Sequence, residues 1–230
     1  FLIDQQITAG INGFDKFISD VIVKILLGLP VQYTIEASPY RAAEAWGIGT
    51  HRGSMLESLA VSGDYLSPWF GNDQKLHFIR TFEPMGKLPD LDFDDHNKVL
   101  RSSILETDNL LTAPNEFVII SNVNNSGSEI VGRASVPPNQ PHSVTNRGYV
   151  IAEVLDLQMS SITQANAVAQ GLATRQNLFE TVSLTTIPDP RHDSYNVIRW
   201  QGQNWLELSW SMALVEGGTM NHVLRKSFAS

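Results

Sequence analysis

The sequence predicts an α+β fold dominated by strands: a small α/β first part over residues 1–108 and a β-barrel-like second domain with one packed helix over residues 109–230. Three observations predict it. Apolar residues recur at three- and four-residue steps in three stretches only, within 14–29, 54–60 and 163–178. Elsewhere they alternate with polar residues or run in short blocks, as strand residues do. Glycine, proline and asparagine clusters separate those blocks. The chain has 230 residues, of which 42% are apolar and 17% charged. That is enough to bury a real core, and it excludes a disordered chain.

Phe14, Phe17, Ile18, Val21, Ile22, Ile25 and Leu26 line one helical face, and Gly28 and Pro30 supply its stop. Val31, Tyr33 and Ile35 then alternate as in a half-buried strand. Met55, Leu56 and Leu59 share the face of a short helix. Tyr65–Phe70, the turn Gly71-Asn72-Asp73 and Lys75–Phe82 read as a β-hairpin. The acidic segment 89–96 reads as a loop, and the domain boundary falls within 85–110. Glu116–Ser121 is a buried strand, Asn122–Ser128 a turn, and Ile130–Ser135 its partner. Val136–Gly148 is an irregular loop and Tyr149–Leu157 a strand. Thr163 caps a helix over 163–178, with Ala165, Val168, Ala169, Leu172 and Ala173 expected to pack on the C-terminal sheet. Strands 180–187, 197–200 and 204–215 follow, and Gly217-Gly218 turns the last into 219–228. In the strand 204–215, alternation places Trp210 in the core and Trp205 on the more polar face, as an interface candidate.

Charge and composition narrow the chemistry. The net charge of −8 disfavours a grip on nucleic acid built from basic patches. With no cysteine there are no disulfides, thiolate nucleophiles or iron–sulfur clusters. The stretch 14–29 carries Asp15, Lys16, Asp20 and Lys24, which excludes a bilayer span. The chain starts at Phe1 without a basic region, so it is expected to begin inside a longer polypeptide rather than with a signal peptide.

No catalytic, cofactor-binding or metal-ligating residue is assigned from the sequence, and no cofactor is expected. The carboxylates of 90–96 lack the glycine and terminal glutamate of a calcium loop. His51, His77, His96, His142, His192 and His222 show no metal-ligand spacing, so any metal site needs long-range convergence. Glu57, Asp64, Glu83, Glu106 and Glu153 are the carboxylates from which a glycosidase pair would be drawn, and nothing joins any two. Gly47-Ile48-Gly49 and Gly217-Gly218 lack the context of a phosphate loop. No Gly-x-Ser-x-Gly elbow is present.

Several segments, in a fixed order, resemble the tail hub (baseplate hub, or minor tail) proteins of long-tailed bacteriophages. They are the strand 115–121, the loop 136–143 (Val-Pro-Pro-Asn-Gln-Pro-His-Ser), the strand end Leu155-Asp156-Leu157 and the alanine-rich helix from Thr163. Thr186-Ile187-Pro188-Asp189-Pro190, His192–Ile198 and a tryptophan-bearing strand turned by Glu216–Met220 complete the series. Asn196 stands where the family commonly has aspartate. The first half fits as well, so the resemblance covers most of 14–228. The family's N-terminal β-barrel-like domain is missing.

The resemblance implies a non-enzymatic structural subunit of the virion, at the tail tip. It implies a homotrimer forming a ring that continues the tail tube and lets DNA pass during ejection. The neighbours it implies are a distal tail or tail tube protein, the tape measure protein, and tail fibre or spike proteins, with no membrane span. The alternatives are a tail-associated cell-wall hydrolase, which needs a carboxylate pair in a cleft, and a host-surface carbohydrate-binding module, which needs exposed coplanar tryptophans.

Overall fold

Strands outnumber helices along the chain. The computed structural model describes residues 5–94, 99–100, 104–108, 112–122, 129–175 and 180–226. The elements are β1 (Ile11–Asn12), α1 (Ile18–Leu26), β2 (Tyr33–Ile35), β3 (Ala45–Trp46), α2 (Arg52–Ser62), β4 (Trp69–Phe70), β5 (Leu76–Phe78) and a 3-10 turn at Pro84–Gly86. Then come β6 (Leu91–Asp92), β7 (Leu105–Asp108), β8 (Glu116–Asn122), β9 (Glu129–Ser135), α3 (Val144–Arg147), β10 (Ala152–Asp156) and α4 (Ile162–Arg175). The chain closes with β11 (Glu180–Thr186), β12 (Val197–Trp200), β13 (Gln203–Met212) and β14 (Met220–Lys226). This is a mixed α+β architecture led by strands. The expected turn residues 123–128, together with Asp95, His96, 176–178, Ser227 and Phe228, lie outside the described residues.

The chain divides into two compact units that interleave. The first comprises Phe1–Thr81, Asn115–Ser135 and Ala152–Ala173, and the second Phe82–Pro114, Val136–Ile151 and Thr174–Ser230. A single cut at 108/109, as expected from the sequence, does not coincide with this division. The reason is the pairing of β8: it joins β9 antiparallel and β10 in parallel, within a sheet ordered β10-β8-β9. A parallel partner needs a long crossover connection, so the intervening chain leaves the unit and returns.

In the first unit, α1 and α2 enclose an apolar core of Ile18, Ile22, Ile25, Met55, Leu59 and Phe78. Helix α1 is shorter than the apolar repeat of 14–29, because Asp15 takes a left-handed φ of 58°. The chain then stops being helical at Leu27, whose ψ is 130°. The hairpin of β4 and β5 forms around Gly71–Gln74, and β2 adds to β5 in parallel. Helix α4, expected on the C-terminal sheet, packs on β9 within the first unit. A Cβ at Gly132 would sit 2.4 Å from the Ala165 carbonyl carbon, so only glycine admits this approach. Asn166 Oδ1 accepts the Arg133 amide at 3.0 Å. The cap of α4 is Ser161, whose Oγ accepts the Gln164 amide at 3.2 Å, rather than Thr163. Ala165, Val168, Ala169 and Ala173 are buried as expected, whereas Leu172 is only half-buried.

The second unit holds one six-stranded sheet ordered β6-β12-β13-β14-β11-β7. The acidic segment is not a free loop: Leu91 and Asp92 form β6, parallel to Ile198 and Arg199. Asp90 Oδ2 accepts the Val197 amide at 2.8 Å, and Asp94 accepts Arg199 Nε at 3.1 Å. Gly217, at φ 69°, turns β13 into β14. The loop 136–148 contains the one-turn helix α3, capped by Ser143.

Strand β13 carries a bulge. Glu207 pairs with Leu224 and Ser209 with Val223, so Leu208 has no partner in the register. One extra residue inverts the side-chain alternation beyond it. Trp205, ahead of the bulge on the face of Glu207, is buried at 3% exposure, against Trp200 with ring centroids 5.4 Å apart. Leu208 and Leu214 are exposed, and Trp210 is half-buried. Trp205, expected at an interface, thus lies in the core, while Trp210, expected in the core, faces inward opposite His222 but is only partly covered.

Candidate functional site

Three ionisable side chains meet inside the second unit: His192, Glu207 and His222, exposed by 3%, 0% and 1%. Each comes from a different segment. Glu207 precedes the bulge of β13, and His222 lies on β14 opposite Trp210. His192 sits in the connection between β11 and β12, which is fixed locally at both ends. Asp189 accepts the backbone amide and the guanidinium of Arg191, and the His192 amide donates to the Asp189 carbonyl at 3.2 Å. The Glu207 amide donates to the Asn196 carbonyl at 3.0 Å, which anchors the far end.

The geometry is tight. Glu207 Oε1 lies 2.8 Å from His192 Nε2 and 2.7 Å from His222 Nδ1. The other nitrogen of His222, Nε2, lies 2.7 Å from Thr186 Oγ1. That hydroxyl also donates to the Ile187 carbonyl at 3.1 Å. Glu207 Oε2 is buried and has no hydrogen-bond partner among the described residues. Aromatic rings close the surroundings. Phe93 stacks on His192 at 6.3 Å and meets His222 edge-on at 5.2 Å, while Trp210 meets His192 edge-on at 5.7 Å.

Chemically, the cluster contains two arrangements. Thr186, His222 and Glu207 stand in the hydroxyl–imidazole–carboxylate order of a nucleophile relay. The hydroxyl is 2% exposed, so a substrate has no route to it in this structure. His192, Glu207 and His222 also offer three ligating atoms within 4.8 Å of one another. Two imidazoles and a carboxylate are the donor types that divalent transition metals take.

The other residues weighed from the sequence are dispersed. His51 is exposed at the start of α2, and His142 is buried in the loop before α3. His77 lies 2.8 Å from Asp73 and stacks on Trp69 at 5.2 Å. The His77 contact holds the Asp73 carboxyl down at about 2. Glu57 is exposed on α2, Asp64 faces Arg80 at 3.5 Å, and Glu83 faces Arg225 at 4.0 Å. Glu106 lies on β7 and Glu153 on β10. The first unit also has an apolar cleft of about 410 Å³, lined by Leu56, Glu57, Val61, Tyr65, Phe70 and Leu76. Burial pushes the Tyr65 phenol up to about 12, and its hydroxyl donates to the Glu36 carbonyl.

Sequence reading named His192 and His222 only as histidines without metal spacing, and it missed Glu207 altogether. Their separations of 15 positions on either side of Glu207 carry no motif. The only signal was Glu207 itself, a carboxylate in the middle of an apolar strand.

No protein-family model matches the chain, and no curated protein matches it. Solved structures do. A tail protein from Neisseria meningitidis MC58 aligns with a TM-score of 0.62 at 12% identity, over 98% of this chain and 71% of that one. The 43 kDa tail protein of prophage MuSo2 from Shewanella oneidensis gives 0.61 at 11% identity, over 98% of this chain and 70% of its own. A chain from the virion of a native gene transfer agent particle gives 0.63 at 10% identity, over 92% of this chain and 47% of its own. At such identities the likeness is one of fold, which this chain shares with these tail and virion proteins.

Proposed function

We propose that this chain is a structural, non-enzymatic subunit of a phage tail tip or baseplate hub. Three copies form a ring that continues the tail tube, and DNA passes through the ring during infection. The observation that carries this reading is the fold likeness to tail proteins over nearly the whole chain. Two physical features support it. Among the described residues the β10-β8-β9 sheet ends in β10 and β9 and the six-stranded sheet in β6 and β7, each paired on one side, and a ring of subunits can cover such edges. A net charge of −8 suits a lumen that repels DNA phosphates, so that DNA slides without sticking. The neighbours in this reading are a distal tail or tail tube protein, the tape measure protein, and tail fibre or spike proteins.

The test is the symmetry of this protein in an assembled particle, by electron cryomicroscopy, with light scattering of the purified chain beside it. A closed threefold ring with an acidic lumen is the expected result. A monomer in the mature particle, or a lumen lined mainly by arginine and lysine, overturns the reading.

A further inference from the structure

We propose that His192, Glu207 and His222 form a binding site for one divalent first-row transition-metal ion of the zinc type, which pins the β11–β12 connection to the sheet. Glu207 Oε1 stands 2.8 Å from His192 Nε2 and 2.7 Å from His222 Nδ1, so two imidazole nitrogens converge on one carboxylate oxygen. All three side chains are at most 3% exposed. Two imidazoles and a carboxylate gathered in a place closed to solvent offer lone pairs that one bound cation satisfies together.

Among the described residues Glu207 Oε2 is buried without a hydrogen-bond partner. A metal ion engages it as well, taking His222 Nδ1, His192 Nε2 and the chelating Glu207 carboxylate. Around an ion with ligands at about 2.1 Å, donor atoms of different side chains stand about 3.4 Å apart, while the two oxygens of one carboxylate stay closer. The three donor atoms are already within 4.8 Å of one another, so shifts of about half an ångström seat the ion. The Thr186 hydroxyl, accepting from His222 Nε2 and donating to Ile187, is the outer partner that fixes the ring and its tautomer. With Phe93 and Trp210 around it, the site is closed and structural rather than open and catalytic. The ion enters as the connection folds over the sheet, so binding is coupled to folding.

The experiment uses the full chain, made without a histidine tag, stripped with a chelator and refolded with and without zinc. Mass spectrometry of the washed protein is expected to find one zinc per chain. Cobalt(II) in place of zinc is expected to give the visible absorption of a four-coordinate ion, and saturating zinc to raise Tm by about 5 °C. His222→Gln removes the cobalt band, Thr186→Val weakens zinc binding about 10- to 100-fold, and His77→Gln changes neither. Folded wild-type protein that retains no zinc and gives no cobalt band overturns the proposal, as does loss of the band in His77→Gln but not in His222→Gln. The symmetry of the particle does not enter this test, so its failure leaves the hub reading standing.

Discussion

The two units bury polar groups in opposite ways. In the first, the buried polar side chains among the described residues are neutral: Ser38, Ser62, Asn115, Ser121 and Gln164. Ser121 Oγ accepts the Met159 amide, and Gln164 Nε2 donates to the Ser62 carbonyl. In the second, the described residues include His142, His192, Glu207, His222 and Arg225, all at most 4% exposed. Neutral groups inside a core tie the backbone at moderate cost. Buried ionisable groups demand partners of opposite charge and make the structure conditional on them. The first unit is thus held mainly by shape, and the second by shape together with a balance of charge at one point.

Glu207→Ala breaks that contrast most severely. It removes the shared acceptor of two buried imidazoles and is expected to destabilise by about 3–5 kcal/mol. Hydrogen exchange should show β11, β13 and β14 losing protection, while α1 and α2 keep theirs. Protection lost equally in both units would mean that the contrast between them is not energetic. Next is Gly132→Ala, whose methyl group meets the Ala165 backbone. Overpacking there should cost about 1–3 kcal/mol, read as a lower urea midpoint with an unchanged slope. An unshifted midpoint would show that α4 can move off β9.

Gln164→Ala tests the neutral style of burial. Its loss frees the Ser62 carbonyl and the Ser160 hydroxyl, and about 1–2 kcal/mol is expected. A cost equal to that of Glu207→Ala would erase the distinction. The smallest effect belongs to Asp189, whose carboxyl is held at about 2 by hydrogen bonds from Arg191. A depressed carboxyl stabilises the folded state above its ordinary value of 3.8, and the gain disappears as pH falls through about 2. Arg191 is 72% exposed, so screening limits the gain to a few tenths of a kcal/mol, about the size of other surface pairs. Asp189→Asn should therefore lower Tm slightly at pH 5 and not at pH 2. A difference that persists at pH 2 would assign the effect to something other than charge.

The same contrast governs what the sequence reveals. The apolar repeat of α1, the hairpin at Gly71–Gln74 and strands β8, β9, β12 and β14 are local patterns, and they are legible. Helix α4 was legible as a helix but not in its placement, because the Gly132–Ala165 approach depends on pairing between distant strands. The start of α1 is set by a left-handed Asp15 and its end by extended backbone at Leu27, neither of which an apolar period reports. The buried cluster was illegible for a plainer reason. Its members are spaced by the topology of the sheet, and a sheet leaves no fixed interval in the chain.

A strand keeps its two faces by counting in twos, and Leu208 is the residue the count leaves out. Glu207, Ser209 and Trp210 take Leu224, Val223 and His222 in turn, so the ladder runs on as if Leu208 were not there. The bulge is therefore a place where the length of β13 can change without a change of face. Deleting Leu208 is expected to close the ladder and to leave Trp210 inward and Ser209 outward. A slip of the whole pairing by one residue would instead turn Trp210 out. Tryptophan emission tells the two apart, holding for a closed bulge and moving to the red for a slipped strand.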